Sequence, residues 1–258
     1  MPKQQILFED LGKMPYKQAW DLQEILLRKN LEIKSAAGSF RSVETVNTQP
    51  QTENHLLFVE HPAVYTLGKS GHEENILISE KEMNSRSIEF YKTNRGGDIT
   101  FHGAEQVVGY PILDLEKFYT DIGRYMRELE EVIIRTLAEY HIESGRSIGE
   151  TGVWLDVGKP GRERKICAMG VRCSRWVTMH GFALNVNTDL SYFDFIIPCG
   201  IQNKKVTSME KELGRKISMQ EVKQKLKNNF GDVFNCEIVN SPESIVRGSG
   251  IPIPTLNS

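Results

Sequence analysis

The chain has 258 residues, of which 39% are hydrophobic and 26% are charged, and its formal net charge is −2 from 32 basic and 34 acidic side chains. This near balance argues against a nucleic-acid-binding protein, which usually carries a basic excess, and no window of about 18 apolar residues predicts a membrane span. The first residues, MPKQQILFEDLG, resemble neither a secretory signal nor a transit peptide. We therefore expect a cytoplasmic globular protein that binds neither nucleic acid nor membrane.

Alternating or continuous apolar runs predict nine strands along the chain. They cover residues 5–8, 55–60, 64–67, 88–92, 99–102, 107–113, 152–157, 166–172 and 176–187.

Helical periodicity is clearest in residues 121–141, where Asp121 is the expected N-cap. A second helix is predicted over residues 16–33, and a third begins at Ser218, because residues 218–221 read S-x-x-E, the capping-box pattern. The apolar face of the first of these helices comprises Ile122, Tyr125, Met126, Leu129, Val132, Ile133, Leu137 and Tyr140. Strands and helices that do not alternate strictly predict an α/β (α+β) fold with a central mixed β-sheet flanked by helices.

Two segments lack a helical or strand pattern. Residues 35–54 are polar and predict a long surface loop, and residues from 240 onward contain several prolines, serines and glycines. We expect a single domain over residues 1–239, followed by a C-terminal tail over residues 240–258 that wraps the surface or frays.

The four cysteines are Cys167, Cys173, Cys199 and Cys236. Without an export signal they are expected to be reduced, and because no C-x-x-C pair exists, no metal site is expected. Cys199 follows a proline and precedes a glycine, which predicts a tight loop, so it is the candidate if one thiol is a nucleophile. A thiol with an ordinary pKa near 8.5 is only about 3% thiolate at neutral pH, so it needs a nearby cation from a lysine, an arginine or a histidine.

Three further segments place polar side chains or glycines at predicted strand ends. Residues 95–102, RGGDITFH, contain a double glycine that lets the backbone approach a ligand, although a hairpin turn with a solvated arginine fits equally well. Lys165 opens an apolar strand and is either partly buried or a solvated strand-end lysine. His180 and Gly181 begin another apolar run, where a satisfied core histidine is the simpler interpretation.

These segments make the chain similar to the lipoyl(octanoyl) transferase family. The resemblance runs from about residue 58 to the helix near residue 230. It includes EHPAVYTLG at 60–68, residues 95–102 with Gln106, VVGYPILD at 107–114, KICAMG at 165–170, HGFALNVN at 180–187 and PCG at 198–200.

The resemblance implies a fold like that of the biotin- and lipoate-protein ligases and an octanoyltransferase that needs no cofactor. The donor would be octanoyl-acyl-carrier protein, and the acceptor a lysine in lipoyl domains of 2-oxoacid dehydrogenase complexes or in the glycine cleavage H protein. Cys199 would form an acyl-thioester, and Lys165 would lower the thiol pKa and then act as a base for the acceptor lysine. The implied substrate-binding residues are Arg95, Gly96, Gly97, Asp98, Ile99, Thr100, Phe101, His102, Ala168, Met169, Gly170, His180, Gly181, Phe182 and Ala183.

Glu105 departs from the family pattern, which usually has a glycine there. If that position has a positive φ, the glutamate strains the turn, and its carboxylate could pair with Arg95 or shift the pKa of His102. Three other functions remain open on the sequence. They are an ATP-dependent lipoate- or biotin-protein ligase, a cysteine hydrolase that releases the free acid, and a non-catalytic carrier-binding module.

Overall fold

A large mixed sheet forms the centre of the fold. A computed structural model of the protein describes residues 3–39, 50–197, 205–242 and 244–249. In this part of the chain the strands are β1 (Gln4–Lys13), β2 (His55–Glu60), β3 (Val64–Leu67), β4 (Glu89–Lys92), β5 (Ile99–His102), β6 (Gln106–Ile112), β7 (Val153–Leu155), β8 (Arg164–Ser174), β9 (Val177–Asn185), β10 (Lys205–Val206) and β11 (Cys236–Asn240). The helices are α1 (Tyr16–Ser39), α2 (Glu80–Ser85), α3 (Ile122–Ala138), α4 (Met209–Leu213), α5 (Met219–Val233) and α6 (Ile245–Ser249).

The large sheet has eight strands in the order β10-β8-β9-β6-β2-β1-β11, with β7 paired to β8. The pairs β8–β9, β9–β6 and β6–β2 are antiparallel, whereas β1 is parallel to both β2 and β11. A second sheet has the order β4-β3-β5. The predicted α/β fold with a central mixed sheet is confirmed.

Apolar side chains cover both faces of the large sheet. On one face α3 and α5 pack against side chains such as Phe58, Val107 and Leu184. On the other face α1 and α6 pack against Val108 and Ala183 among others. A third cluster lies against the small sheet. Each sheet face is therefore covered by helices, as expected for strands whose residues are buried on both sides.

The main predicted helices begin where their capping residues stand. The Asp121 side chain accepts a hydrogen bond from the Arg124 N–H at the start of α3, and the Ser218 side chain accepts one from the Glu221 N–H at the start of α5. Ile122 does not belong to the buried face of α3, because it is the first helical residue and remains 38% exposed.

The predicted loop over residues 35–54 is wrong at its beginning, because α1 continues to Ser39. Lys34 near the end of this helix is tied to Asp114 and Glu116 by Nζ–carboxylate distances of 2.6 and 2.9 Å. Those ion pairs and two alanines of high helix propensity extend the helix past its apolar stripe. Residues 40–49 lie outside the described ranges.

The chain beyond residue 239 makes defined contacts up to residue 249. Asn240 ends β11, and the Ser241 N–H donates to the Phe8 carbonyl over 2.9 Å. Val246 of α6 is buried in the cluster on the α1 side. The division into a domain over residues 1–239 and a tail over 240–258 stays a prediction. None of the helices in the described ranges is long and apolar enough to cross a membrane.

Candidate functional site

A pocket of about 840 Å³, which includes space open to solvent, lies between strands of the large sheet and the segment that leads into β5. Its lining residues are Tyr16, Arg95, Gly97, Asp98, Ile99, Thr100, His102, Gln106, Val108, Tyr110, Thr151, Lys165, Ala168, Met169, Gly170, His180, Gly181, Phe182, Ala183, Asn185, Phe193 and Val206.

Small residues in adjacent strands form one wall of this pocket. Val108 of β6 lies opposite Ala183 of β9, and Ala183 lies opposite Ala168 of β8. Two residues away on each strand, Gly181 of β9 lies opposite Gly170 of β8. Residues opposite one another or two apart share a sheet face. The wall therefore carries short side chains that leave room above the sheet.

The segment before β5 lies directly on the backbone of β8. The Gly96 N–H donates to the Val171 carbonyl over 2.9 Å, and a Cβ added at Gly170 would be 2.6 Å from the Gly96 carbonyl oxygen. Gly97 has a φ of +84°, which favours glycine. The double glycine therefore serves a close backbone contact that forms one side of the pocket.

Arg95 is buried, with 7% of its surface exposed, and its guanidinium holds the segment together. Nη2 donates to the carbonyls of Thr66 and Asp98 over 2.5 and 2.8 Å, and Nη1 donates to the Gly96 carbonyl over 3.0 Å. The alternative of a solvated arginine is therefore wrong. Fixed donors in a planar fork suit such a role because they satisfy several carbonyls at once.

His102 is held in one orientation by Gln106. The Gln106 amide nitrogen donates to the Asn185 Oδ1 over 2.8 Å, so its Oε1 faces His102 Nδ1 at 2.9 Å and assigns the proton to Nδ1. The His102 ring also stacks on Tyr16, with centroids 5.9 Å apart. Burial, and then the neighbouring His61 and Arg95, hold the pKa of His102 well below 6.5. His102 is therefore neutral at pH 7.

His180 is also neutral. It is 1% exposed, and burial, followed by the charges of Arg95 and Arg172, lowers its pKa to about 3. Neither histidine of the pocket is therefore expected to supply the cation for a reactive thiol at pH 7. Among the described lining residues, the basic side chains that remain are Arg95 and Lys165.

Lys165 stands at the more exposed end of the pocket. It is half-buried, and its Nζ lies 4.5 Å from the centre of the Trp154 ring, so a cation–π contact orients the side chain. Thr151 and Val206, which also line the pocket, are exposed and half-buried respectively. Cys199 lies outside the described residues, as do Pro198 and Gly200, so its role stays a prediction.

The three described cysteines all have raised thiol pKa values, although only Cys167 and Cys236 are buried and Cys173 is exposed. Cys167 is fully buried, and its pKa is raised chiefly by burial. Burial also raises the pKa of Cys173, and it raises that of Cys236 to about 12. None of these three lines the pocket.

The structure brings together thirteen of the fifteen predicted substrate-binding residues and Lys165. Gly96 and Phe101 do not belong to the lining. Phe101 points instead into the cluster against the small sheet, where its ring stacks on Tyr192 with centroids 4.5 Å apart. Strand alternation explains this, because its neighbours Thr100 and His102 face the pocket. Within the described ranges no group of His, Cys, Asp or Glu side chains could hold a metal ion.

Sequence reasoning gave no role to several of the lining residues. Val108 and Tyr110 follow Gln106 at alternate positions of β6, a period-2 signal that extends the predicted motif. Asn185 likewise follows Ala183 at the next alternate position of β9. The other lining residues without a predicted role come from separate elements, and no local signal identifies them; they are Tyr16, Thr151, Phe193 and Val206.

Glu105 has a positive φ of 56°, which is the case in which a glutamate strains this turn. Its carboxylate pairs with neither Arg95 nor His102, contrary to expectation. It accepts from Lys216 Nζ over 3.0 Å and from Asn187 Nδ2 over 3.4 Å. These contacts point away from the pocket and compensate part of the backbone strain.

Comparison with known proteins agrees with this geometry. Residues 15–231 match the family described as the lipoyl protein ligase A/B catalytic domain. The octanoyltransferase of Christiangramia forsetii is 58% identical over 230 residues, which cover 89% of this chain and 95% of that protein. The crystal structure of lipoate-protein ligase A bound with ATP has a TM-score of 0.68 at 13% identity, over 96% of this chain and 92% of that chain. Biotin protein ligase from Aquifex aeolicus in complex with biotin and ATP has a TM-score of 0.50 at 13% identity, over 89% and 70%. The predicted fold is thereby confirmed.

Proposed function

The chain belongs to the lipoyl protein ligase A/B catalytic domain family, and from this membership we propose that it is an octanoyltransferase of protein lipoylation. Its 58% identity to an octanoyltransferase across nearly the whole of both chains supports octanoyl as the transferred group. The observation that carries the mechanism is the half-buried Lys165 at the more exposed end of a pocket with short apolar side chains on its wall.

Cys199 is the proposed nucleophile. Its thiolate attacks the carbonyl of a carrier-protein thioester, the C–S bond to the carrier breaks, and the carrier leaves as a thiolate that takes a proton from the Lys165 ammonium. The ε-amine of an acceptor lysine then attacks the Cys199 thioester, an amide forms, and the thiolate is restored. The raised pKa values of the other three cysteines, and their absence from the pocket lining, support a role for none of them in the reaction.

Lys165 serves both steps. Its positive charge favours the thiolate form of a nearby cysteine, and as an amine it can accept the proton that the acceptor lysine loses. The contact with the Trp154 ring limits the directions that the long side chain can take. Because the donor is already a thioester, no carboxylate has to be activated, and the proposed transfer needs no ATP.

The proposed acyl site is the row of small residues formed by Val108, Ala168 and Ala183. Each buried methylene contributes about 0.8 kcal/mol to binding, so a medium-length chain gains several kcal/mol along this wall. The proposed partners are octanoyl-acyl-carrier protein as donor and a lipoyl domain of a 2-oxoacid dehydrogenase complex or the glycine cleavage H protein as acceptor.

Intact-protein mass spectrometry tests this function. Incubated with octanoyl-acyl-carrier protein and no acceptor, the protein should gain one octanoyl group on the peptide that contains Cys199, and hydroxylamine should remove it. Addition of a lipoyl domain should move the group to that domain without ATP. Cys199→Ala should abolish the adduct, whereas Cys173→Ala, which changes an exposed cysteine, should retain it.

The two catalytic alternatives give distinct results in the same assay, and a non-catalytic carrier-binding module would show neither an adduct nor transfer. Strict dependence on ATP with no adduct on Cys199 would indicate a ligase. Release of free octanoate at the rate of adduct loss, with an unmodified acceptor, would indicate a hydrolase. An adduct on another residue would overturn the assignment of the nucleophile.

A further inference from the structure

His180 has an unusual backbone conformation for the interior of a β-strand. Its φ is +59°, although it pairs regularly with Val171 of the neighbouring strand. Alternation along β9 places Met179 and Ala183 on the α1 side, so an ordinary backbone would direct His180 to the opposite face. The ring nevertheless lies 6.3 Å from that of Trp20 in α1. Such strain persists only where the surroundings enforce it, and it is frequent at functional positions.

A chain of hydrogen bonds fixes the tautomer of His180. Glu24 Oε1 accepts from Asn94 Nδ2 over 2.8 Å and from Arg172 Nη1 over 2.9 Å. The Asn94 amide is thereby oriented so that its Oδ1 faces His180 Nε2 at 2.7 Å. Since an amide oxygen only accepts, Nε2 carries the proton and Nδ1 is left with a lone pair.

His180 Nδ1 has no hydrogen-bond partner among the described residues, although it is fully buried. The residue lines the pocket. A buried acceptor of this kind needs a donor from a water molecule or from a polar group of a ligand. An alkyl group in the same place offers none.

His180 lies far from the proposed reaction centre. Lys165 stands six residues before Val171 on β8, and Val171 pairs with His180, so about 20 Å of strand separates the two positions. Between them lie the small residues Ala168 and Gly170. Arg95 and His102, which also line the pocket, are buried and close enough to interact electrostatically with His180, and Tyr16 stacks on the His102 ring. The pocket thus passes from an exposed end at Lys165, along a wall of small residues, to a buried polar end.

We propose that His180 is a specificity-determining residue that limits the length of the acyl chain. Chains that end before His180 leave a water molecule on Nδ1, whereas a longer saturated chain displaces this water and leaves the acceptor unpaired. The substrate class is therefore an unbranched medium-chain acyl group with an upper limit on length. This inference rests on the proposed acyltransferase function of the same pocket.

The test compares kcat/KM for hexadecanoyl- and octanoyl-carrier protein in the wild type and in three variants. His180→Phe keeps a ring and removes the acceptor, so the hexadecanoyl-to-octanoyl ratio should rise by about tenfold or more, the usual consequence of no longer burying an unpaired acceptor. His180→Asn keeps an acceptor and tolerates the positive φ, so the ratio should stay near that of the wild type. Like His180→Phe, Asn94→Ala removes the Asn94–His180 hydrogen bond, but it keeps the imidazole ring of His180. The ratio of the two substrates should therefore stay near that of the wild type.

A ratio of two substrates is insensitive to the fraction of folded enzyme, so loss of stability does not imitate the effect. An unchanged ratio in His180→Phe, or an equal rise in Asn94→Ala, would overturn the proposal. Nitrogen NMR of the His180 ring is a second measurement, and it does not depend on enzyme activity. A proton found on Nδ1 would overturn the assignment of that atom as an acceptor. A wild type that transfers no acyl group would instead refute the proposed function itself.

Discussion

Mild acid should destabilise this protein strongly, because four of its six histidines are buried as neutral rings. Burial is the largest cause in each case. It lowers the pKa of His55 and of His61 to about 4 and that of His180 to about 3, and it holds the pKa of His102 well below its ordinary value of 6.5. In the unfolded chain these rings regain an ordinary pKa. Between pH 6.5 and about 4 the unfolded state therefore binds protons that the folded state does not.

The sign and size of the effect follow from proton linkage. Stability falls as the pH falls, since the unfolded state binds more protons, and each histidine contributes a slope of about 1.4 kcal/mol per pH unit. Between pH 7 and pH 5 the loss is about 2 kcal/mol for each histidine whose pKa is lowered to about 4 or about 3, or roughly 6 kcal/mol for His55, His61 and His180 together, and His102 acts in the same direction. A typical domain has a free energy of unfolding of about 5–15 kcal/mol, so the protein should approach unfolding near pH 5.

Urea unfolding at several pH values between about 7 and 5 measures the number of protons taken up. His55→Leu removes one buried ring, and the slope should decrease by about one proton. His72→Asn is the matched control, because His72 is exposed and its replacement should leave the slope unaltered. A flat profile, or stability that rises toward pH 5, would refute the reasoning.

Three further predictions concern single residues. Lys165→Ala should slow acyl transfer by orders of magnitude with little change in thermal unfolding. Lys165→Arg should restore little of the rate, because arginine keeps the charge but cannot act as a base. Near-normal single-turnover rates in the arginine variant would show that charge alone suffices. Glu105→Gly should relieve about 1 kcal/mol of backbone strain at φ 56°. It also removes an exposed ion pair to Lys216, which contributes less to stability than the strain costs, so the free energy of unfolding in urea should be equal or greater. A clear decrease in that free energy would mean that the carboxylate contacts dominate. Gly181→Ala should lower the unfolding midpoint and weaken transfer, because the added Cβ would lie 2.2 Å from the Gly109 carbonyl oxygen; unchanged unfolding in urea would contradict that packing.

The elements found from the sequence are those with a strong local signal. The amphipathic face of α3 and its Asp121 cap define that helix, and the apolar run of β2 is sufficient to place its boundaries. β10 and β11 were missed because they gain their stability from partners distant in sequence. The order of strands in the sheet likewise depends on contacts that no local pattern specifies.

In the candidate site, too, the features with a local sequence signal were predicted and those that depend on distant contacts were not. Motif resemblance indicated most of the lining, because its glycines and polar residues stand at strand ends where backbone approach matters. Burial of Arg95 could not be foreseen, since it depends on carbonyls of Thr66 and Asp98 meeting in three dimensions. The positive φ of His180 could not be read from the sequence either, because histidine adopts that conformation only in a small minority of positions, even though it does so more often than most residues.

The parallel pairing of β1 with β11 bears on how the chain folds during synthesis. Gln4 pairs with Cys236, so one edge of β1 has no partner until the strand near the other end has been made. At translation rates of about 5–20 residues per second, this edge stays uncovered for roughly 10–50 s. Unpaired strand edges associate readily with other chains. The nascent protein therefore passes through a period of exposure to aggregation, during which a chaperone that covers β1 would raise the yield of folded enzyme.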